Sequence, residues 1–298
     1  MKSTFKQCWL LGLALSVIAA SAAGATYLRE IDIDRAGVVL KGKFYAAEGT
    51  GALPAVILLH GFPGNETDVM GLGRKLSEAG IHALAFNYSG THRSQGEMSF
   101  ENAQRDIQAA FDFIRRPENV EKYGIDTARI ILGGWCFGGN MALAYAAGHA
   151  EVAAVFSIAG NDHGEFFREY ARNPAFQKMI DDGFAAAAAP PANVRFARGA
   201  LPKETVASGL DKMDPIFDLR ASAPRLAPKD VLLIAGWDDR QVTVEQYILP
   251  FYRALEKEKA GQVRIIAFQD DHYFKNSREE LARAVIDWLR IVWDKKPE

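Results

Sequence analysis

The stretch IILGGWCFGGNMALAYAA, residues 130–147, carries the side chain best suited to covalent chemistry in this sequence. Cys136 stands between Gly134 and Gly138, where an apolar run of strand length stops and an alanine-rich helical run begins. A sharp strand-to-helix turn there pushes one side chain out over the carboxyl edge of a sheet. The residues two before and two after such a turn crowd each other, which is why both are glycine. The same turn sets the sulfur at a helix N-terminus, which favours an anion. The chemistry this allows is attack by a thiolate on a carbonyl carbon.

A nucleophile of this kind needs a base, and the base needs an orienting acid, in the chain order nucleophile, acid, base. His272, in AFQDDHYF, is the one histidine downstream of the final strand-like runs. The others read as structural or solvated: His60 beneath a loop, His82 at a strand start, His92 and His149 at loop or helix-end positions, and His163 in a long insertion. In LLIAGWDDRQVT, Asp238 and Asp239 both follow a strand and both could reach His272 to hold its tautomer and stabilise an imidazolium. Charge developing on a carbonyl oxygen calls for fixed backbone donors. HGFPG, residues 60–64, turns sharply after the first buried strand, so the N–H groups of Phe62 and Phe137 are the expected oxyanion hole.

The elements that must position these groups are legible as alternation. Apolar runs at 54–62, 81–88, 129–135, 152–160, 231–237 and 263–269 read as buried strands. Helical patterns at 68–79, 100–115, 137–147, 244–259 and 277–293 lie between or after them. That rhythm predicts an α/β fold with a mostly parallel central sheet covered by helices on both faces. TYLREIDID and VVLKGKFYA, before residue 54, predict an antiparallel pair at one edge. Residues 161–229, after the sixth strand, break the rhythm. They hold seven of the twelve prolines and the aromatics Phe166, Phe167, Tyr170, Phe176, Phe184, Phe196 and Phe217, and they predict an ordered cap.

Lys2 and Lys6 precede an apolar run too short for a comfortable membrane span, and small residues follow, so residues 1–25 read as a secretory signal peptide and 26–298 as one domain. The expected destination is the periplasm or the medium, with no stable membrane span after cleavage. Cleavage leaves 33 basic against 37 acidic residues, a net charge of −4, and one cysteine, Cys136, which cannot form an internal disulfide. Without a basic face or aromatic-basic interleaving, the chain is not expected to bind nucleic acid. Asn65 in NET and Asn87 in NYS match the glycosylation triplet. HExxH, CxxC, Walker and dinucleotide glycine patterns do not occur, so neither metal nor cofactor is expected.

With elbow, oxyanion loop, acid and base in order, residues 26–295 resemble the α/β-hydrolase superfamily. GWCFGGNMAL looks most like the cysteine elbow of dienelactone hydrolases, whose triad is Cys, Asp and His. The resemblance, with its glycine-x-x-Asp spacing, implies a triad of Cys136, Asp239 and His272. HGFPG, NYSGTHRSQGEMSF and DHYF look more like bacterial or secreted esterases and acylaminoacyl-peptidase-like hydrolases, which carry serine; Gly61 follows His60 where many dienelactone hydrolases have an acidic residue. The resemblance implies an enzyme cleaving carboxylic ester, lactone or thioester bonds of small molecules through an acyl-cysteine. An acyltransferase, a serine-peptidase-like hydrolase and a non-catalytic ligand-binding relative are the other readings.

Overall fold

The computed structural model describes residues 27–65 and 69–294. The expected signal peptide, residues 1–25, lies outside the described residues.

Chain order runs β1 (Tyr27–Arg35), β2 (Val38–Ala46), β3 (Leu53–Leu59), α1 (Leu72–Glu78), β4 (His82–Phe86), α2 (Phe100–Arg115), α3 (Pro117–Tyr123), β5 (Ile125–Trp135), α4 (Phe137–Gly148) and β6 (Ala154–Ile158). It continues through α5 (His163–Arg172), α6 (Pro174–Ala188), α7 (Pro202–Ser208), α8 (Ala223–Leu226), β7 (Asp230–Gly236), α9 (Leu249–Lys257), β8 (Val263–Phe268) and α10 (Arg278–Trp293). The eight strands form one sheet in the order β1-β2-β4-β3-β5-β6-β7-β8. β1 and β2 pair antiparallel, as expected, and β2 pairs antiparallel to β4; from β4 to β8 every pairing is parallel.

Alternation along the strands builds the two cores. In β3, Ala55, Ile57 and Leu59 face the layer that holds Ala103 and Ile107 of α2 and Met141 of α4. Val56 and Leu58 face the opposite layer, with Leu72 and Leu76 of α1 and Leu281, Val285 and Trp288 of α10. Strands covered on both faces must be apolar throughout, which is why the pattern reads as continuous runs and not as a period of two. Gly133 has no side chain because a Cβ there would run into the Phe156 ring of β6.

Helix boundaries follow local signals. Ser99 caps α2 by accepting from Asn102 N at 3.0 Å, and Asp162 caps α5 by accepting from Gly164 N at 2.9 Å. Three expectations are revised. The pattern at 68–79 is a 3₁₀ turn, Val69–Gly71, followed by the shorter α1. The pattern at 244–259 begins as a π turn, Val244–Ile248, and becomes α9 with Pro250 in its first turn, where its missing N–H costs nothing. A short helix absent from the expected pattern, α3, fits between Pro117 and the left-handed Gly124. Asn87 is fully buried, which removes it as a glycosylation acceptor in the folded chain.

The sheet order reverses between β3 and β5: the chain leaves β3 for β4 on one side, then returns to β5 on the other. In open α/β sheets the crevice outside the carboxyl ends of the strands at such a point is where ligands bind. Cys136 and the 60–64 loop both follow strands that flank it.

Candidate active site

Cys136 joins β5 to α4 with φ 55° and ψ −122°, a conformation that L residues rarely hold. Its neighbours make it possible. A Cβ at Gly134 would meet Gly138 backbone atoms at 2.6 Å and the Leu59 carbonyl oxygen at 2.7 Å, and one at Gly138 would run into Leu59 and His60. The turn is fastened by Cys136 N donating to Ile158 O at 2.8 Å and by Asn140 N donating to Cys136 O at 3.2 Å.

Asp239 lies just beyond β7 and is 4% exposed. Its Oδ1 accepts from the N–H groups of Gln241 and Val242, each at 2.8 Å. Oδ2 accepts from His272 Nδ1 at 2.7 Å, so the carboxylate is oriented from one side and orients the imidazole on the other. Asp238 is exposed and accepts from Gln269 Nε2 at 2.8 Å. Burial alone would depress the His272 pKa. Hydrogen bonds to Asp239 and to the Cys136 side chain, with the charges on both, outweigh it and raise the pKa to about 10. The imidazolium is therefore the favoured form at neutral pH, held between a carboxylate and a sulfur.

The loop carrying His272 is braced twice. Trp135 Nε1, from the residue before the cysteine, donates to His272 O at 2.9 Å. Asp270 accepts from Asn276 N and Ser277 N, both at 2.9 Å, and from Ser277 Oγ at 2.7 Å.

Opposite, the 60–64 loop is closed by Gly64 N donating to Gly61 O at 2.7 Å. A Cβ at Gly61 would lie 2.8 Å from the Trp135 ring and 3.1 Å from Cys136 Cβ, so this backbone rests against the elbow. Phe62 comes next. Phe137 heads α4, where its N–H has no partner within the helix. Phe62, Cys136 and Phe137 line one cavity of about 590 Å³.

The inserted segment walls this cavity with aromatic rings. Phe62 stacks on Phe184 at 4.7 Å between centroids, and Phe184 on Phe196 at 5.2 Å. Of the aromatics expected in the cap, Phe166, Phe176, Phe184 and Phe196 face the cavity. Phe167, Tyr170 and Phe217 are buried in packing instead. Glu169 and Arg240 bring charge to the lining. Sequence reasoning placed Cys136, Asp239, His272, Phe62 and Phe137, which the fold gathers at this edge. It missed Asn161 and His163, which also line the cavity; nothing in NDHGEFF signals that two residues of a long insertion return to the elbow. Among the described residues no group of three or more His, Cys, Asp or Glu could hold a metal ion, and no helix is long and apolar enough to cross a membrane.

A family model of the alpha/beta hydrolase fold matches residues 54–282. Over 98 residues the chain is 34% identical to the uncharacterized protein YfhR of Salmonella typhi, covering 33% of this chain and 32% of YfhR. The match thus spans about a third of that curated relative. Among solved structures, Est1E of Butyrivibrio proteoclasticus with ferulic acid bound superposes with a TM-score of 0.64 at 16% identity, covering 89% of this chain and all of Est1E. The esterase Pf2001 of Pyrococcus furiosus superposes with a TM-score of 0.64 at 17% identity, covering 89% of this chain and 91% of the esterase. The hypothetical protein PA2218 of Pseudomonas aeruginosa gives 0.64 at 18% identity over 96% and 99% of the two chains. At these identities the superpositions establish a shared fold.

Proposed function

This chain belongs to the α/β-hydrolase family, and from that premise we propose that it hydrolyses small-molecule carboxylic esters, lactones or thioesters through an acyl-cysteine on Cys136. The observation that carries the reading is the 2.7 Å contact of His272 with Asp239, on an imidazole that also hydrogen-bonds Cys136. Family membership supports a hydrolase, and the likeness to Est1E and Pf2001 supports an esterase within it.

The thiolate attacks the carbonyl carbon, forming the S–C bond while the carbonyl electrons move to oxygen. The N–H groups of Phe62 and Phe137 hold that oxyanion. On collapse the C–O bond to the leaving alcohol breaks, and the His272 imidazolium supplies its proton. The neutral imidazole then takes a proton from water as the water oxygen bonds the acyl carbon. The S–C bond breaks, the acid leaves, and thiolate and imidazolium are restored. Asp239 keeps the ring in the orientation and tautomer that both steps need. The ferulic acid seen in Est1E and the aromatic walls here both favour esters with an aromatic or other bulky apolar group. The same reading takes residues 1–25 as an export signal, so the enzyme works in the periplasm or the medium.

The decisive experiment is hydrolysis of a short-chain nitrophenyl ester by the wild-type protein, Cys136→Ala and Cys136→Ser. Cys136→Ala is expected to lose roughly a thousandfold or more in kcat/KM. An alanine variant as fast as the wild type would remove Cys136 from the chemistry and overturn the mechanism.

A further inference from the structure

We propose that Asn161 and His163, on the loop between β6 and α5, form a polar subsite that recognises a neutral hydroxyl on the substrate. This rests on the reading of the cavity as the place where the substrate is bound.

The cavity is mostly aromatic, yet two residues that line it, Asn161 and His163, each hold a polar atom with no partner among the described residues. Asn161 Oδ1 and His163 Nδ1 are both buried and make no hydrogen bond. His163 is 3% exposed, stacked on Phe100 at 4.5 Å and 14°, with the Phe137 ring 5.5 Å away. Buried polar groups are normally satisfied, and those left open in a ligand cavity mark where a ligand's polar group belongs.

The loop is held as a preformed site would be. Asn140, one turn along α4 from Cys136, donates from Nδ2 to the Asn161 carbonyl at 2.6 Å. Asp162, between the two residues, accepts from Gly164 N at 2.9 Å, Leu219 N at 3.0 Å and Arg220 Nε at 2.9 Å. The backbone is therefore fixed to the nucleophile helix and to the far end of the insertion, while the Asn161 and His163 side-chain atoms remain unmatched. Groups ordered before binding lose little entropy when a ligand arrives.

The chemistry of the pair selects the ligand class. A carboxamide oxygen needs a donor. An imidazole in wholly apolar packing stays neutral, since burial drives its pKa down to about 3. It offers no charge to a carboxylate or an ammonium. A hydroxyl serves both, donating its one proton to Asn161 Oδ1 and accepting from His163 Nδ1 in the tautomer that carries the ring proton there. A site that hydrogen-bonds a substrate hydroxyl rejects the analogue lacking it far more strongly than an apolar pocket separates a methylene.

The test uses methyl 3-phenylpropanoate and its ortho-, meta- and para-hydroxyphenyl counterparts. Their binding to Cys136→Ala is measured by calorimetry, beside kcat/KM on the wild-type protein. At least one hydroxylated ester is expected to bind tenfold or more tightly than the parent. That preference should vanish when His163→Phe or Asn161→Leu is added, and should return in part with His163→Gln, whose amide is neutral and hydrogen-bonding. Thermal unfolding checks that each variant is folded. No preference for any hydroxylated ester, or one that survives both apolar substitutions, overturns the subsite. Because binding is read without turnover, preference without hydrolysis would instead strike at the proposed reaction and leave the subsite standing.

Discussion

His163 and His272 are both 3% exposed, both lie beyond the carboxyl ends of strands, and both approach the same cysteine-bearing helix. Their protonation is opposite, with His272 raised to about 10 and His163 lowered to about 3. Burial pushes both rings toward the neutral form, so the solvent they have lost does not account for the contrast. What separates them is the company: Asp239 and Cys136 for one, the rings of Phe100 and Phe137 for the other. One edge of the cavity is thereby charged and saturated with hydrogen bonds, where charge must be moved. The part of the insertion's wall around His163 is neutral and aromatic, where a substrate must be held.

The largest expected effect comes from erasing the contrast on the His272 side. Asp239→Asn keeps the shape but removes the charge that steadies the imidazolium, and should lower kcat/KM by about 10² to 10⁴. The same change should move the alkaline limb of the pH–rate profile downward from about 10, since Asp239 is a principal cause of the raised His272 pKa. An alkaline limb that stays in place would mean that His272 is not the group titrating there.

Next in size is a pH effect on stability that runs in opposite directions for the two rings. His272 has a folded pKa above its ordinary value of 6.5, so its contribution is complete below 6.5 and fades as pH rises through about 10. His163 has a folded pKa below 6.5, so the unfolded chain binds a proton that the folded one refuses; stability is lost as pH falls from 6.5 toward 3. His163→Phe should remove on the order of 3 kcal/mol of that loss between pH 7 and pH 4. Denaturant titrations at pH 7 and pH 4 measure it, and an unchanged difference between the two would show that His163 is already paired in the folded protein.

How much of this was legible follows from the range of the forces involved. The elbow could be read because its requirements are local: Gly134 and Gly138 are needed within two residues of Cys136, and strand and helix patterns flank them directly. The α2 helix was legible over its full length because Ser99 caps it and its apolar face repeats for 16 residues. Short α3 was not, since seven residues between Pro117 and Gly124 give too few turns for a periodic face. Of the two acids after β7, only the glycine-x-x-Asp spacing of the family resemblance favoured Asp239 in the sequence; in the fold, Gln241 and Val242 turn their N–H groups onto Asp239 while Gln269 draws Asp238 outward. His163 was least legible of all. Its partners, Phe100 and Phe137, lie 63 and 26 positions away, and no pattern within the insertion records that return.

The smallest effect concerns how the charged edge is kept rigid. Asp270 is 4% exposed, and burial acts to raise its pKa, but hydrogen bonds from Ser277, Asp271 and Asn276 prevail and hold it below the ordinary carboxylate value. Its stabilisation is therefore present above that ordinary value and is lost as pH falls. Asp270→Ala should cost about 2 kcal/mol, because the donors it served lose an ionised acceptor. The His272 side of the contrast should then soften without disappearing, since Trp135 still holds the His272 carbonyl. The expected signature is a few-fold fall in kcat/KM with KM little changed, together with a downward shift of the alkaline limb smaller than that of Asp239→Asn. A variant that loses stability while the limb stays fixed would show that the Trp135 contact alone positions His272, and that Asp270 serves the start of α10 instead.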